Sequence, residues 1–542
     1  MDRHFERTVR REMGFELRPA QLRAVESLLD GRDTLVVMPT GAGKSAIYQA
    51  AGGALDGCTI VVAPLLALQY DQLSSIGDMF GGGVAINSLR SAAQRRQDLD
   101  RVALGQVEYV FTSPEMLASE EVLRALASAR PSLFVVDEAH CISTWGHDFR
   151  PDYLALGAAV TALGRPPALA LTASAAPPVR EEIVELLGMD EPEVVVTGFD
   201  RPEIHLEIRA VADLGTAEAE CIDTAVSLPG RGLVYVARRR DTERLAAELS
   251  DRGVAAAAYH AGLPRSERDA VSTRFVEDPG LTVVATNAFG MGIDAPDIRF
   301  VLHVEPPESL DAHYQEVGRA GRDGEDARAV CWTVRGRSSR RRATGAGTTP
   351  DTEQWQRIVE AVAEGATTSA SITEATGIGR RQLTAAVPHL IRAGNLRRAG
   401  RQLRLGSAGR DLRTATLLSD RQREVAATRA AMLRRFLEGD RCRWQFLLAY
   451  FGEPTADPCG RCDVCTQRAA EPPPERGPGA DRRHVDGFAP GATVRHVSFG
   501  GGRIVEVSGD ELVVMFDETG YRVLSADVVT AQGLLEVVPE PA

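Results

Sequence analysis

One lysine stands out among the residues of this 542-residue chain that could do chemistry. Lys44 is the single lysine among 62 basic residues, and the others are arginine. It belongs to PTGAGKS, residues 39–45, which follows an apolar run at residues 34–38. A glycine loop between a strand and a helix surrounds a phosphate with backbone N–H groups, and its lysine places a compact charge on the outer phosphates. The segment therefore predicts a site for a nucleoside triphosphate.

Two carboxylates follow another apolar run, at residues 133–136. Asp137 and Glu138 begin the sequence DEAH, which His140 completes. At the end of a buried strand, one carboxylate can hold Mg²⁺ together with the Ser45 hydroxyl, and its neighbour can polarise the attacking water. We assign Asp137 to the metal and Glu138 to the water, and we count His140 among the catalytic residues. DEAH alone could be an exposed strand end, but with the glycine loop it predicts ATP hydrolysis.

Four of the eight cysteines lie close together near the C-terminus. Cys442 is followed by PCGRCDVC, which contains Cys459, Cys462 and Cys465. Four thiolates at this spacing are typical of a closed, tetrahedral Zn²⁺ site with a structural role. Iron–sulfur or redox chemistry is the alternative.

The elements that position these residues are indicated by apolar runs that alternate with helix-like stretches. Two such series predict an α/β fold with two tandem lobes, residues 1–200 and 201–337, each a parallel sheet wrapped by helices. The rest of the chain predicts a polar linker (residues 338–350), a winged-helix-like domain (351–410) and a helical zinc-binding module (411–470). A proline-rich linker (471–487) and a small SH3/Tudor-like β-barrel (488–542) follow. The phosphate loop and the carboxylates therefore belong to the first lobe.

Charge is distributed unevenly along the chain, whose formal net charge is −13. Residues 376–445 hold sixteen arginines and five acids, a local net charge of +11. A basic island in an acidic chain predicts contact with a polyanion, and Arg380 and Arg381 lie within it, in the predicted winged-helix-like domain. A solvated surface of an arginine-rich protein, or a helical spacer, is the alternative.

The sequence also excludes some classes of protein. No uninterrupted apolar run approaches the roughly 18 residues that a membrane span needs. The N-terminal segment is charged and lacks the apolar core of a secretory signal. We therefore expect a cytoplasmic, nucleoid-associated protein without membrane contact.

A series of ordered motifs in residues 14–335 resembles the helicase core of the RecQ family, ATP-driven DNA helicases of superfamily 2. Beside the glycine loop and DEAH, the matching segments are GFELRPAQ, VVAPLLALQYDQ, TSPEML, ALTASA, VATNAFGMGIDAPDIRFVLH and YQEVGRAGRDG. The resemblance implies RecA-like lobes with ATP between them. It implies ATP contacts by Arg18, Gln21, Pro39, Thr40, Gly41, Ala42, Gly43, Lys44, Ser45, Gly292 and Asp294.

The last motif adds three catalytic residues from the second lobe. Arg319 and Arg322 are three residues apart, so they can share one helix face and reach the γ-phosphate. There they would stabilise the charge that develops in phosphoryl transfer, with Gln315 as a further catalytic residue. We favour Arg322 as the arginine finger; structural salt bridges are the alternative for both arginines. Because the finger comes from the second lobe, hydrolysis would open and close the cleft.

Other motifs resemble the segments with which the family holds DNA, and CISTWGHDFRPDY, residues 141–153, resembles its aromatic-rich loop. Aromatic side chains can stack on bases, and arginines can contact phosphates. The predicted DNA contacts are Pro64, Gln69, Ser113, Pro114, Trp145, His147, Phe149, Arg150, Thr172, Arg239, His260, Thr286, Arg380 and Arg381. A place for Trp145 and Phe149 in the core is the alternative for the loop.

The order of the domains departs from the family, in which zinc directly follows the second lobe and a winged helix follows zinc. The strand-splitting hairpin of that winged helix therefore cannot be transferred to this chain. The final segment resembles the Tudor-like domain of UvrD/PcrA-type helicases in VRHVSFGGGRIVEV, VVMFD and YRVL. Because residues 446–542 carry eight arginines and fifteen acids, we expect this domain to bind a protein, RNA polymerase or a repair protein, rather than DNA.

The sequence thus predicts a DNA helicase that uses ATP, Mg²⁺ and Zn²⁺. By resemblance it moves 3′ to 5′ and unwinds branched or duplex DNA from a single strand in repair or recombination. A DNA-stimulated translocase that remodels protein–DNA complexes with little strand separation is one alternative, motivated by the missing family winged helix. A DNA-binding regulator without enzymatic activity is the other.

Overall fold

The computed structural model describes most of the chain. The described residues are 14–64, 66–77, 82–143, 149–290, 295–335, 352–399, 402–455, 457–470, 487–517 and 519–538. Two parallel sheets come first, as predicted for an α/β protein with two lobes, and a separate antiparallel sheet comes last. No helix among the described residues combines the length and the apolar composition that a membrane crossing requires.

The first lobe is a seven-stranded parallel sheet covered by helices on both faces. Its strands are β1 (Thr34–Val37), β2 (Thr59–Val62), β3 (Gly83–Ile86), β4 (Tyr109–Thr112), β5 (Leu133–Val136), β6 (Ala168–Thr172) and β7 (Glu193–Val196), in the order β3-β4-β2-β5-β6-β1-β7. Its helices are α1 (Pro19–Leu29), α2 (Ser45–Gly52), α3 (Leu66–Ile76), α4 (Ala92–Ala103), α5 (Pro114–Leu117), α6 (Glu120–Ser128), α7 (Leu156–Ala162) and α8 (Pro177–Leu187), with 3₁₀ helices at Ala139–Ile142 and Pro151–Ala155. The central strands are fully buried and mostly apolar because both faces of the sheet are covered, whereas the edge strand β7 is largely half-buried or exposed. Their carboxyl ends gather the phosphate loop and DEAH at one edge.

The second lobe repeats this design with six parallel strands. They are β8 (Ile204–Val211), β9 (Arg231–Tyr235), β10 (Ala256–Tyr259), β11 (Thr282–Ala285), β12 (Ile298–His303) and β13 (Ala327–Val334), in the order β10-β11-β9-β12-β13-β8. Its helices are α9 (Leu214–Ser227), α10 (Arg239–Asp251), α11 (Arg265–Glu277) and α12 (Leu310–Val317). The last motif therefore begins on α12 and continues into the loop before β13.

Three helices and a hairpin form the winged-helix-like domain. They are α13 (Thr352–Ala363), α14 (Ser369–Thr376), α15 (Arg380–Arg392), β14 (Leu396–Ala399) and β15 (Gln402–Leu405). Gly377 ends α14 in the left-handed conformation, which makes the tight turn, and Pro388 lies inside α15 without ending it. The domain has its own core around Trp355, Ile372 and Leu383. It packs on the first lobe, because α15 lies against the 3₁₀ helix Pro151–Ala155.

The zinc-binding module and a five-stranded antiparallel sheet complete the fold. The module contains α16 (Arg413–Glu438), α17 (Arg443–Tyr450) and α18 (Asp463–Ala470). The C-terminal sheet domain, residues 487–538, contains β16 (Thr493–His496), β17 (Gly500–Ser508), β18 (Glu511–Phe516), β19 (Gly520–Ser525), α19 (Ala526–Ala531) and β20 (Leu535–Val537), with the strand order β19-β18-β17-β16-β20. The module and the C-terminal sheet domain pack against each other. The rings of Tyr450 and Tyr521 stack with their centroids 4.9 Å apart, and the Tyr521 hydroxyl donates to the Tyr450 carbonyl at 2.8 Å.

The zinc-binding module also holds the linker that joins the two lobes. The Phe199 N–H donates to Glu453 Oε2 at 2.9 Å, and the Phe199 ring stacks on Phe451 at 4.5 Å. At the start of β8, the indole N–H of Trp444 donates to the carbonyl of Ile204 at 3.1 Å. The pivot between the lobes is therefore tied to a domain that lies far downstream in the chain.

Candidate nucleotide site and nucleic-acid surface

The phosphate loop runs from β1 into α2 and depends on two glycines. Gly41 has a φ of +82° and Gly43 a φ of +78°, conformations that favour glycine. The space beside them is also taken. A Cβ on Gly41 would lie 2.8 Å from Arg322 Cδ, and one on Gly43 would lie 2.8 Å from Gln21 Nε2. Glycine therefore lets groups from both lobes approach the loop closely.

Lys44 is held at the base of the loop by main-chain carbonyls. Its Nζ donates to the carbonyl of Met38 at 3.2 Å and to that of Pro39 at 3.4 Å. Burial lowers the pKa of Lys44, and the carboxylates of Glu138 and Asp137 oppose this shift. These carbonyls can be exchanged for phosphate oxygens, so the loop and its lysine fit a triphosphate.

Lys44→Arg should lower the turnover number for ATP about 10²-fold, almost as much as Lys44→Ala. The guanidinium is planar and bulkier than the ammonium and does not present a point charge. Steady-state ATP hydrolysis at saturating ATP and single-stranded DNA measures the effect. Arg240→Lys, at a side chain that is 76% exposed, is the control and should leave turnover unchanged. Wild-type turnover in Lys44→Arg would contradict this role.

Asp137 ends β5 and is held from three sides. Its N–H donates to the carbonyl of Val62 at 2.9 Å, its Oδ1 accepts from the Glu138 N–H at 3.0 Å, and its Oδ2 accepts from Gln72 Nε2 at 3.0 Å. Burial, followed by the charge of Glu138, raises the pKa of Asp137 to about 6. A divalent cation would relieve both effects. Ser45 begins α2 directly after Lys44, whose charge acts on Asp137, so Ser45 and Asp137 are the residues that would hold Mg²⁺.

Glu138 contacts the buried ring of His140. Glu138 has a φ of +49°, an uncommon conformation for a residue other than glycine. The His140 ring is completely buried, and its Nδ1 lies 3.3 Å from Glu138 Oε2 and 3.0 Å from Thr172 Oγ1. His140 therefore links the predicted water-polarising carboxylate to the end of β6.

The second lobe faces the phosphate loop across a cleft of about 320 Å³. Arg322 lines this cleft beside Gly41. Arg319 is instead buried within the second lobe, where it donates to the carbonyl of Gly290. Gln315 is buried on α12. Of the two predicted arginines, Arg322 is thus the one that lies beside the phosphate loop.

Two residues in the cleft escaped the sequence analysis. Arg201 and Glu203 form an ion pair and line the cleft from the start of the second lobe. Arg201 also donates to the carbonyls of Gly318 at 2.9 Å and Ala320 at 2.7 Å, which fixes the loop that carries the finger. The signal that could have found them is their position at the predicted boundary between the two lobes. Gly292 and Asp294, predicted ATP contacts, lie outside the described residues.

Arg18 and Gln21 meet the phosphate loop on its first-lobe side. The Arg18 N–H donates to Gln21 Oε1 at 2.7 Å. Gln21 Nε2 donates to the carbonyls of Ala42 at 3.1 Å and Gly43 at 2.9 Å. This places two of the predicted ATP contacts next to the phosphate loop.

Several predicted DNA contacts come together at one end of the first lobe. The 3₁₀ helix Pro151–Ala155 lies against both α5, which begins at Pro114 after Ser113, and α15 of the winged-helix-like domain. Arg150 precedes this helix and donates to the carbonyl of Pro64 at 2.8 Å. Phe149 is half-buried beside it, and Trp145 and His147 lie outside the described residues.

Gln69 and Thr172 were predicted to touch DNA, and the structure corrects both predictions. Both side chains have no exposed surface. Gln69 Nε2 donates to the carbonyls of Ala63 at 3.2 Å and Thr112 at 3.0 Å, so it ties strand ends together. Thr172 bonds to His140 instead. The sequence motifs alone do not determine the direction of these side chains.

The remaining predicted DNA contacts differ in exposure. Arg239, Arg380 and Arg381 are exposed and available to phosphates. His260 and Thr286 are buried at the edge of the second lobe, and His260 Nε2 lies 3.0 Å from Glu243 Oε1.

The four clustered cysteines converge on one point. Their sulfur atoms all lie within 4.8 Å of one another. Backbone N–H groups point at three of the sulfurs: Cys459 donates to Cys442 at 3.3 Å, and Arg443 to Cys462 and Arg461 to Cys459 at 3.4 Å. Such N–H groups stabilise the thiolate form of cysteine, so the four sulfur atoms fit a Zn²⁺ ion.

Parts of the chain match three protein families. Residues 18–183 match the DEAD/DEAH box helicase family, residues 218–324 the helicase conserved C-terminal domain, and residues 410–466 the RecQ zinc-binding family. The matches coincide with the two lobes and the cysteine cluster described above.

Similar curated proteins carry helicase names. The chain is 39% identical over 310 residues to the probable ATP-dependent DNA helicase RecS of Bacillus subtilis (strain 168), which covers 56% of this chain and 62% of that protein. It is 37% identical over 316 residues to the ATP-dependent DNA helicase RecQ of Pasteurella multocida (strain Pm70), with 58% and 49% covered. The chain therefore spans about half to three fifths of the length of these relatives.

Solved structures share the fold at low identity. The DUF1998 helicase MrfA bound to DNA superposes with a TM-score of 0.54 at 19% identity, over 77% of this chain and 61% of that chain. The DEAD-box helicase Mss116 bound to ssRNA has a TM-score of 0.52 at 16% identity, over 70% and 87%. At such identity the likeness concerns the fold alone.

Proposed function

Because the chain carries the two helicase domains and the zinc-binding region of the RecQ family, we propose that it is an ATP-dependent DNA helicase. It would move 3′ to 5′ on single-stranded DNA and unwind duplex or branched DNA in repair or recombination, on the DNA of the nucleoid in the cytoplasm. The polarity and the cellular role rest on the RecQ resemblance.

One observation carries the proposal: the groups for phosphoryl transfer are divided between the lobes. The first lobe supplies Lys44, Asp137 and Glu138, and the second supplies Arg322, whose charge acts on Lys44 together with the charges of the two carboxylates. A charge that develops on the γ-phosphate is then stabilised only when the lobes are close together. Each turnover would change the distance between the lobes and move a strand held by both.

A strand-displacement assay tests the proposal. We expect the wild-type chain to displace a strand from a duplex with a 3′ tail when ATP and Mg²⁺ are present, and to leave a 5′-tailed duplex intact. Lys44→Ala should displace neither, which shows that the activity belongs to this chain. Hydrolysis stimulated by DNA without displacement would contradict the helicase proposal and support the translocase. Undiminished DNA-dependent function in Lys44→Ala would support the regulator instead.

The winged-helix-like domain would bind the duplex ahead of the motor. Its helix α15 packs on the 3₁₀ helix that follows Arg150, and Arg398 on its hairpin acts on Asp152 there. Burial and Glu115 raise the pKa of Asp152, and the charge of Arg398 opposes them. The winged-helix-like domain, with its many arginines, therefore lies next to the end of the first lobe where the predicted DNA contacts meet.

The double variant Arg380→Ala/Arg381→Ala should weaken duplex binding and reduce the slope of log affinity against log salt by about 2 units. Each arginine removed leaves one fewer phosphate neutralised, so fewer counterions are released when the DNA binds. Fluorescence anisotropy with a blunt duplex between 50 and 200 mM salt would measure it. Arg265→Ala/Arg274→Ala on α11 is the matched control, since Arg265 pairs with Asp269 of the same helix and Arg274 with Asp278 at its C-terminal end. An unchanged salt slope would leave this domain as a spacer.

A protein partner for the C-terminal sheet domain stays a prediction. Its acidic charge supports it, and residues 446–542 carry fifteen acids. The face that bears Tyr521 is occupied by the zinc-binding module, so RNA polymerase or a repair protein would have to use another face.

A further inference from the structure

Helix α3 carries two buried amide side chains, three residues apart. Gln69 is completely buried and Gln72 is 8% exposed. Residues three apart lie on the same side of a helix, so both amides point into the first lobe. The two amides bond to different parts of this lobe.

The first amide ties α3 to the two segments predicted to grip DNA. Gln69 donates to the carbonyls of Ala63 and Thr112, which directly precede Pro64 and Ser113. Its Oε1 accepts from Asn87 Nδ2 at 3.1 Å, so the amide is satisfied at both ends. A movement of either DNA segment therefore has to displace α3.

The second amide reaches the predicted magnesium ligand. Gln72 Nε2 donates to Asp137 Oδ2 at 3.0 Å, and this bond lowers the pKa of Asp137 against its burial. Gln72 Oε1 is buried and has no hydrogen-bond partner among the described residues. A buried acceptor without a donor is costly, and a water bound to the metal is a donor of the right kind at this position.

We propose that Gln72 is a positioning residue that couples DNA binding to the magnesium site. Its N–H orients the Asp137 carboxylate, and its Oε1 accepts from a metal-bound water. Because Gln69 and Gln72 share one rigid helix turn, a strand gripped at the segments after Ala63 and Thr112 changes the position of Asp137. The inference rests on the proposed function, since it takes the ligand of these segments to be DNA.

The test replaces Gln72 by methionine, which keeps the length of the side chain and removes both hydrogen bonds. We expect the DNA-stimulated turnover number to fall about tenfold and the Mg²⁺ concentration for half-maximal activity to rise about tenfold. Without activity as the readout, the Mg²⁺-dependent affinity for a fluorescent ADP should fall by a similar factor. Affinity for single-stranded DNA without nucleotide should stay within about twofold, because no DNA-contacting group is removed.

Leu73→Met on the same helix is the matched control and should behave like the wild type. Gln72→Leu, which also removes both hydrogen bonds and fills the same space, is the second variant should Gln72→Met fail to fold. If either folded variant keeps the wild-type Mg²⁺ dependence and DNA stimulation, the inference is overturned. A wild-type chain that hydrolyses ATP equally with and without DNA would instead overturn the proposed function, so the two failures are distinguishable.

Discussion

Arg322→Ala should lower the turnover number for ATP about 10³-fold and change the affinity for ATP little. The side chain comes from the second lobe and approaches Gly41 so closely that a Cβ there would lie 2.8 Å from its Cδ. As the proposed finger, its charge would meet the γ-phosphate where negative charge grows in the transition state, so its loss should affect the chemical step. Steady-state kinetics measure the turnover number, and binding of a fluorescent, non-hydrolysable ATP analogue measures the affinity.

Two further arginines make this prediction specific. Arg328→Ala removes a second-lobe arginine that pairs with Glu207 away from the cleft, and it should leave turnover unchanged. Arg319→Ala removes the donor to the Gly290 carbonyl, so it should lower the stability of the second lobe as well as turnover. If Arg319→Ala abolished turnover while Arg322→Ala kept it, the finger would have to be reassigned to Arg319.

Removal of the metal should unfold the zinc-binding module. Structural Zn²⁺ contributes about 10–16 kcal/mol to the folding of small zinc domains, and Cys462 has no exposed surface. The backbone of Cys462 forms a β-bridge with Leu206 of β8, so unfolding of the module should also release the linker between the lobes. We expect Cys462→Ser, or a strong chelator, to give an early thermal transition and zinc content near zero.

Zinc content by elemental analysis separates this role from the alternatives. Cys331→Ser, at a buried cysteine in the second lobe, should retain the metal and the wild-type transition within a few degrees. Full zinc content in Cys462→Ser would contradict the assignment. Iron and a visible absorption band in the wild-type protein would favour the iron–sulfur alternative.

Local patterns predicted the parts of the site that depend on neighbours in the sequence. The glycine loop needs positive φ at Gly41 and Gly43, and DEAH needs a buried strand before it, so both motifs carry their own geometry. The cysteines were equally clear, because three of the four ligands come from one tight loop. The two lobes followed from the alternation of apolar runs and helices.

The rest depends on contacts between distant segments, which no local pattern encodes. Gln72 meets Asp137 across 65 residues, and Arg201 reaches Gly318 across 117. Gln69 has the residue type of a DNA contact, but the fold turns it inward to hold strand ends. The place of the winged-helix-like domain on the first lobe was also out of reach, because its order in the chain suggested only that it departs from the family.

The clamp on the interlobe linker has a consequence for synthesis. Glu453, which accepts the Phe199 N–H, lies 254 residues downstream of it. At about 5–20 residues per second, the ribosome makes that stretch in roughly 10 to 50 s. Until then the lobes can fold as separate units, while the Phe199 ring lacks the Phe451 ring that stacks on it and the Phe199 N–H lacks its acceptor. The newly made motor would therefore depend on chaperones most strongly just before its zinc-binding module emerges.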